Sequence, residues 1–471
     1  MQRDTLIHWF RQDLRISDNP ALMEAAKRGR VLPVYIFDTV HPAEHAIGGA
    51  SRWWLHHSLQ ALNKQLEGCL QIHAGDPLSI LPDLARKNRV PRIHWNRCYE
   101  PWRTQRDTQV KERLQSGGIE VRSYNASLLW EPWDVLKQDG TPYKVFTPYY
   151  TKGCQNAGPP RKPLLRPEEL ILAEPSTGSC SVDDLELLPK VRWDRKMEAH
   201  WNIGEAAAHT SLKLFLEHGI SGYREKRDFP ALRNVSRLSP HLHWGEISPH
   251  QVWHAAACVD QGEDVEHFHR ELAWREFSYY LLYHFPELPR RNFNRKFDRF
   301  PWADDPDLLA SWKRGETGIP IVDAGMRELW ETGFMHNRVR MLVASLLTKN
   351  LRLHWKHGQA WFWDCLADAD LASNSASWQW VAGSGADAAP YFRIFNPVTQ
   401  GQKFDPTGEY TRRFVPELDR MPDKYLFNPW EAPPEILETA DVVLGETYPH
   451  PVVDLKESRE QALEAYQQIK G

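Results

Sequence analysis

Short apolar runs alternate with amphipathic stretches over the first 130 residues. TLIHWF (5–10), VLPVYIF (31–37), CLQIHA (69–74), RIHWN (92–96) and IEVRSY (119–124) have strand length and strand composition. Between them the pattern is helical. Ser17 stands where an N-cap would open a helix through Lys27, with Gly29 just past its end, and a second helix covers 51–66. Strand–helix alternation of this kind predicts an α/β domain, a doubly wound, Rossmann-like parallel sheet, over residues 1–130. No G-x-G-x-x-G follows the first strand, so the usual dinucleotide fingerprint is missing.

Residues 131–200 lose the periodicity and are rich in proline (Pro132, Pro142, Pro148, Pro159, Pro160, Pro163, Pro167, Pro175), which predicts an interdomain connector. Beyond 200 the period becomes helical, with segments at 205–217, 249–258, 265–284, 320–331, 335–350 and 358–367. An all-α domain over 201–471 is expected.

Composition then narrows the classes. The chain has 471 residues, too many for a single core, and 58 Lys+Arg against 62 Asp+Glu give a net charge of −4. Nucleic-acid binding would therefore need a local basic patch. The six cysteines are scattered without metal-ligand spacing, so neither a zinc site nor a disulfide framework is suggested. No apolar run is long enough for a membrane span and no leader is apparent, so a cytoplasmic location is expected. Tryptophan is the unusual count: 21, more than Phe or Tyr, with fourteen beyond residue 190.

Four stretches carry candidate chemistry. Residues 336–358 hold Arg338, Arg340, Lys349, Arg352 and Lys356 with no acid, and residues 290–299 hold Arg290, Arg291, Arg295, Lys296 and Arg299 against Asp298. Aromatics lie nearby, a composition that suits phosphates and exposed bases as well as a solvated charged face. DADLASNSASWQWVAGSGADAAPYFRIFNP (368–397) places Asn374 and Trp378 on one face of a helix and turns Trp380 elsewhere. HRELAWREFSYYLLYHFP (269–286) gathers Glu271, Trp274 and Arg275 within one turn, and NVSRLSPHLHWGEISP (234–249) offers hydroxyls at a helix start.

These stretches, with WFRQDLRISDNPAL (9–22), TGIPIVDAGMREL and GFMHNRVRMLVASLLTK, resemble the photolyase/cryptochrome family along nearly the whole chain. The resemblance implies FAD, active as FADH⁻, bound in the helical domain. Tyr223, Arg227, Ser236 and Ser239 would contact its diphosphate and ribityl region, with Val235 standing where many members have Thr. Asp368 and Asp370 would face the flavin, Arg340 would pair with Asp368, and Asn374 matches the residue opposite N5. Asn there resembles repair enzymes; plant cryptochromes carry Asp and animal ones Cys.

Trp274 and Trp380 match the indoles that flank a flipped-out pyrimidine dimer, and Glu271 matches the carboxyl on its base edges. Arg275, Asn337 and Met341 would line the same pocket. Asn337 and Met341 resemble the enzymes acting on cyclobutane dimers, since (6–4) photolyases place a proton-transferring His in this region. Glu271, Asn337, Met341 and Asn374 are thus the catalytic candidates, and Trp302, Trp355 and Trp378 match an electron-transfer chain. The basic stretches would grip the damaged strand. An antenna chromophore is left open between methenyltetrahydrofolate, a deazaflavin and FMN, or none, because Arg103 replaces a pterin-contacting Glu and Pro289–Arg290 replace a Cys–Lys pair. Expected, then, is light-driven repair of UV-damaged DNA by a monomer, with no metal. The alternatives are a blue-light photoreceptor, against which the absence of a C-terminal extension counts, and a (6–4) lyase.

Overall fold

The computed structural model describes residues 4–176, 178–259, 262–388 and 392–470. Its contacts divide it into two units. One comprises Met1–Ile220, Ser236–Pro286 and Asp370–Ala372; the other comprises Ser221–Val235, Glu287–Ala369 and Ser373–Gly471.

In the first unit, β1 (Thr5–Phe10), β2 (Arg30–Asp38), β3 (Gln71–Gly75), β4 (Arg92–Asn96) and β5 (Glu120–Tyr124) form one parallel sheet in the order β3–β2–β1–β4–β5. The order reverses beside β1, as in a doubly wound fold. Trp9 sits in register with Val34 on one side and Trp95 on the other. Helices α1 (Pro20–Arg28), α2 (Gly49–Gln65), α3 (Pro77–Lys87) and α4 (Pro101–Ser116) connect the strands. Ile7, Trp9, Val34, Leu81, Ile93, Trp95, Val110 and Leu114 form the core between sheet and helices.

Two local expectations are corrected. Helix α1 opens at Pro20, because Asn19 accepts the Leu22 N–H and proline is pre-set for the first turn. The amide and hydroxyl of Ser17 go instead to Glu205. The proline-rich stretch 131–200 is also more than a connector. It belongs to the first unit and adds bridges Val31↔Leu172 and Ile72↔Cys180 to the sheet, the second covering the edge strand β3. Proline removes the regular periodicity without removing the packing.

The first unit continues with α5 (Glu205–His218), α6 (Ser239–Trp244), α7 (Pro249–Val259) and α8 (Glu263–His284). The second contains α9 (Pro306–Arg314), α10 (Pro320–Thr332), α11 (Asn337–Ser345) and α12 (Trp355–Cys365). Next comes α13 (Leu371–Ala382), in the second unit from Ser373 onward, followed by α14 (Pro397–Phe404) and α15 (Leu455–Lys470). The expected single helix 335–350 is α11 followed by a wider π-type turn over Leu346–Asn350. Trp312, Trp355 and Trp378 are buried here among Leu342, Val343, Leu347 and Phe362. Among the described residues, no helix is long and apolar enough to cross a membrane, and no cluster could hold a metal ion.

Among the buried imidazoles are His94 and His250 in the first unit and His336 in the second. Burial lowers their pKa values from 6.5 to about 4, 3 and 4 respectively. Each is neutral when folded and takes up a proton when unfolded, so the folded state loses stability as pH falls below 6.5. The thermal unfolding midpoint should drop steadily between pH 6.5 and 4, with each site contributing up to about 1.4 kcal/mol per pH unit. Replacing His94 with an uncharged residue should flatten that slope by about one proton; an unchanged slope would show that these sites do not drive it.

Candidate functional site

The second unit holds the tryptophans of interest. Trp378, on α13, points into the core at 2% exposure, while Trp380 is half-buried. The helix spacing accounts for this, since two residues rotate a side chain to a different face. The Trp378 indole packs edge-on against Phe362 (5.0 Å between centroids) and Trp312 (6.1 Å). It also lies flat against Gly358 on α12, where an added Cβ would fall 2.0 Å from Cη2. Gly358 is one turn along from Trp355, so Trp355 and the seat of Trp378 share a helix face. Trp355 is fully buried and its indole N–H donates to Asn292 Oδ1 at 2.8 Å. Trp302, half-buried, packs on Phe300 and on His354.

Arg340 and Asp368 form the expected pair. The guanidinium Nη2 lies 2.9 Å from Asp368 Oδ2, and its Nε donates to the Met335 carbonyl at 2.7 Å. The Asp368 side chain is 4% exposed, so the cation sits beside a desolvated carboxylate. Asn374 is buried, and its Nδ2 donates to the Gln359 carbonyl at 3.0 Å. That bond fixes the amide's orientation and leaves Oδ1 as the acceptor the side chain can present. Asn337 and Met341 stand one turn apart on α11, exposed and half-buried respectively, behind a cap in which His336 accepts the Arg338 N–H. The Arg227 guanidinium lies over the Tyr223 ring.

The first unit carries the other candidates. Trp274, on α8, is half-buried and stacked face to face on Phe146 (3.8 Å, 9°), which is in turn parallel to Tyr150. Phe146 and Tyr150 come from the segment read as connector, and no motif marked them. Glu271 lies one turn before Trp274, half-buried. The Arg275 guanidinium is committed to the Ser127 carbonyl and to Glu276, both at 2.9 Å, over the Tyr279 ring. Asp370 accepts from the Tyr279 hydroxyl and has His243 Nδ1 at 3.5 Å. Ser236 is half-buried, with its Oγ facing the Leu238 N–H, and Ser239, exposed, begins α6.

The basic stretches divide. In 336–358, Lys349 is 1% exposed: its ammonium donates to the Ala382 carbonyl at 2.7 Å and sits 3.2 Å from the Phe392 ring centroid. Arg338 pairs with Asp228, Arg340 with Asp368, and Arg352 reaches Gln461, which leaves Lys356 exposed. That stretch is therefore mostly internal structure and not a phosphate-binding face; the spacing of cations alone does not distinguish the two. Arg290, Arg291, Arg295, Lys296 and Arg299 are all exposed. Residues 389–391 of the 368–397 motif lie outside the described residues.

Comparison with known proteins places the chain in a family. Residues 6–168 match the family model described as DNA photolyase, and residues 268–468 match the FAD binding domain of DNA photolyase. A deoxyribodipyrimidine photo-lyase of Agrobacterium fabrum is 47% identical over 99% of this chain and 98% of its own length. Cryptochrome-1 of Arabidopsis thaliana is 36% identical over 98% of this chain and 70% of its own length. The crystal structure of a class III photolyase from Agrobacterium tumefaciens superposes with a TM-score of 0.95 at 46% identity, covering 100% of this chain and 98% of that one.

The contact between Gly358 and Trp378 gives a direct test of the packing. Gly358→Ala must displace the indole, because the added methyl would overlap Cη2 and the interior is close-packed. The variant should unfold at lower denaturant, with a loss of about 1–3 kcal/mol. The compensating pair Gly358→Ala with Trp378→Phe should recover part of it. If Gly358→Ala is as stable as the parent, the indole does not sit there.

Proposed function

Because the chain belongs to the photolyase/cryptochrome family, we propose that it is a light-dependent DNA repair enzyme acting on cyclobutane pyrimidine dimers. The observation that carries this reading is Asn374. Its amide is held by the Gln359 carbonyl with Oδ1 available as an acceptor, and an uncharged acceptor suits a reduced flavin whose N5 bears hydrogen.

The donor set fits FAD in other respects. Arg340 beside Asp368 supplies positive charge near an anionic ring. Asp370, fixed by Tyr279, offers a carboxylate to ring N–H groups or a ribityl hydroxyl. Tyr223, Arg227, Ser236 and Ser239 supply a ring, a cation and hydroxyls suited to the diphosphate and ribityl chain. When bound and reduced, FAD supplies under near-UV or blue light the single electron that opens the cyclobutane ring and is afterwards returned, with no net redox change. The protein's share is geometry and electrostatics.

Trp274 and Trp380 each offer an apolar plane suited to stacking on a flipped base; the Phe146 stack keeps Trp274 flat. Glu271 offers a carboxyl group to hydrogen-bond the base edges. Asn337 and Met341 complete the pocket with a neutral amide and a thioether, which provide no proton relay of the kind a histidine would give. Arg275 acts mainly by bracing α8 through Ser127 and Glu276. The exposed cations at 290–299 meet the DNA backbone. Trp302, Trp355 and Trp378 would serve as the route for electrons toward the cofactor site. A second chromophore in the first unit is compatible with the family, and its chemical class is left to spectroscopy.

Holoprotein reduced in advance should restore thymine-dimer DNA under blue light and leave it unrepaired in the dark. Trp378→Phe should slow light-driven reduction of oxidised FAD while sparing repair by chemically reduced enzyme. Normal photoreduction with no repair would instead favour the photoreceptor reading, which the 36% identity to a plant cryptochrome keeps in view. Repair restricted to (6–4) products would contradict the roles given to Asn337 and Met341.

A further inference from the structure

We infer that His354 is a bridging ring in the tryptophan chain, coupling Trp302 to Trp355. This rests on the electron-transfer reading given above. Its imidazole centroid lies 4.8 Å from the Trp302 ring and 5.4 Å from the Trp355 ring, tilted by 55° and 34°. Among the described residues it is the ring in contact with both indoles. Tunnelling weakens exponentially with the length of the gap, and more slowly through packed π systems than across empty space. A ring interposed between two indoles is therefore a route as well as a filler.

The imidazole is suited to carrying coupling without holding charge. It is harder to oxidise than indole, so the electron vacancy rests on the tryptophans. Burial, aided by Lys356 and His357, holds its pKa down at about 4, so no fixed positive charge opposes a passing one at neutral pH. In the step itself one electron moves from the Trp302 indole to a Trp355 indole already oxidised by Trp378. No bond forms or breaks, and an added thiol reductant returns the electron to Trp302.

His354 has a second task that must be separated from the first. Its Nδ1 accepts the Lys356 N–H at 3.1 Å and so caps α12, the helix that carries Trp355 and Gly358. Capping needs a short acceptor, which Asn supplies as well. Bridging needs a ring, which Phe supplies. The two substitutions therefore divide the two roles.

The test uses holoprotein with oxidised FAD and added thiol. It reads the yield of the long-lived tryptophan radical by flash absorption, together with the thermal unfolding midpoint. His354→Asn should unfold near the parent midpoint but show a severalfold loss of radical yield. His354→Phe should unfold earlier yet keep a yield close to the parent's. A parental yield in His354→Asn, or a yield that follows the midpoint across both variants, would overturn the bridging role; should His354→Phe fail to fold, His354→Asn decides alone. Trp302→Phe guards the underlying reading. If it leaves the radical yield unchanged, the electron-transfer chain itself falls, whereas its loss beside an unaffected His354→Asn removes only the bridge.

Discussion

The Trp378 indole occupies the space that a side chain at residue 358 would need, and this contact fixes the rotation of α13 about its own axis. An α-helix advances about 100° per residue, so once Trp378 is seated the directions of its neighbours follow. Asn374, one turn earlier, faces the same side, and Trp380, two residues later, emerges half-buried on another. A twelve-residue helix thus carries Asn374, Trp378 and Trp380, the residues proposed to serve the cofactor, electron transfer and the lesion. The seat is reinforced around it. Gln379 donates to the carbonyls of Leu288 and Arg291 and accepts from the Phe293 N–H, and Lys349 satisfies the Ala382 carbonyl at the end of the helix.

Electrostatics is organised on the same scale. Asp368, nearly sealed from water, has a guanidinium at 2.9 Å, and Asp370 is held by a tyrosine hydroxyl. Such groups lose little orientation when a charge develops nearby, which is the condition under which fixed dipoles and ions stabilise a reacting centre best. The cations in the same sequence stretch as Arg340 are largely turned inward, whereas those at 290–299 are exposed.

Much of this was legible in the residues, for stated reasons. Strands at 5–10 and 92–96 were read to the residue, because short β-rich runs flanked by turns have few other uses. The sides taken by Trp378 and Trp380 followed from helical spacing alone. Three features were not legible. Asn19 displaced Ser17 as a cap because Pro20 set the start of the helix, a choice among neighbouring capping residues that only the backbone makes. Phe146 behind Trp274 comes from a proline-rich stretch with no period to read. The burial of Lys349 depends on the Ala382 carbonyl and the Phe392 ring, 33 and 43 positions away in the chain. The tryptophan excess also separates: Trp9, Trp53, Trp54, Trp95 and Trp312 are fully buried and carry no proposed role, beside the five tryptophans that do.

The central claim is that this chain delivers a photoexcited electron to a pyrimidine dimer. The action spectrum of dimer repair, measured on reduced holoprotein with defined cyclobutane-dimer DNA, tests it most directly. Repair should track the absorption of the reduced flavin, together with any second chromophore the protein carries. A holoprotein that binds the DNA and absorbs in that range, yet repairs at no wavelength, would contradict it.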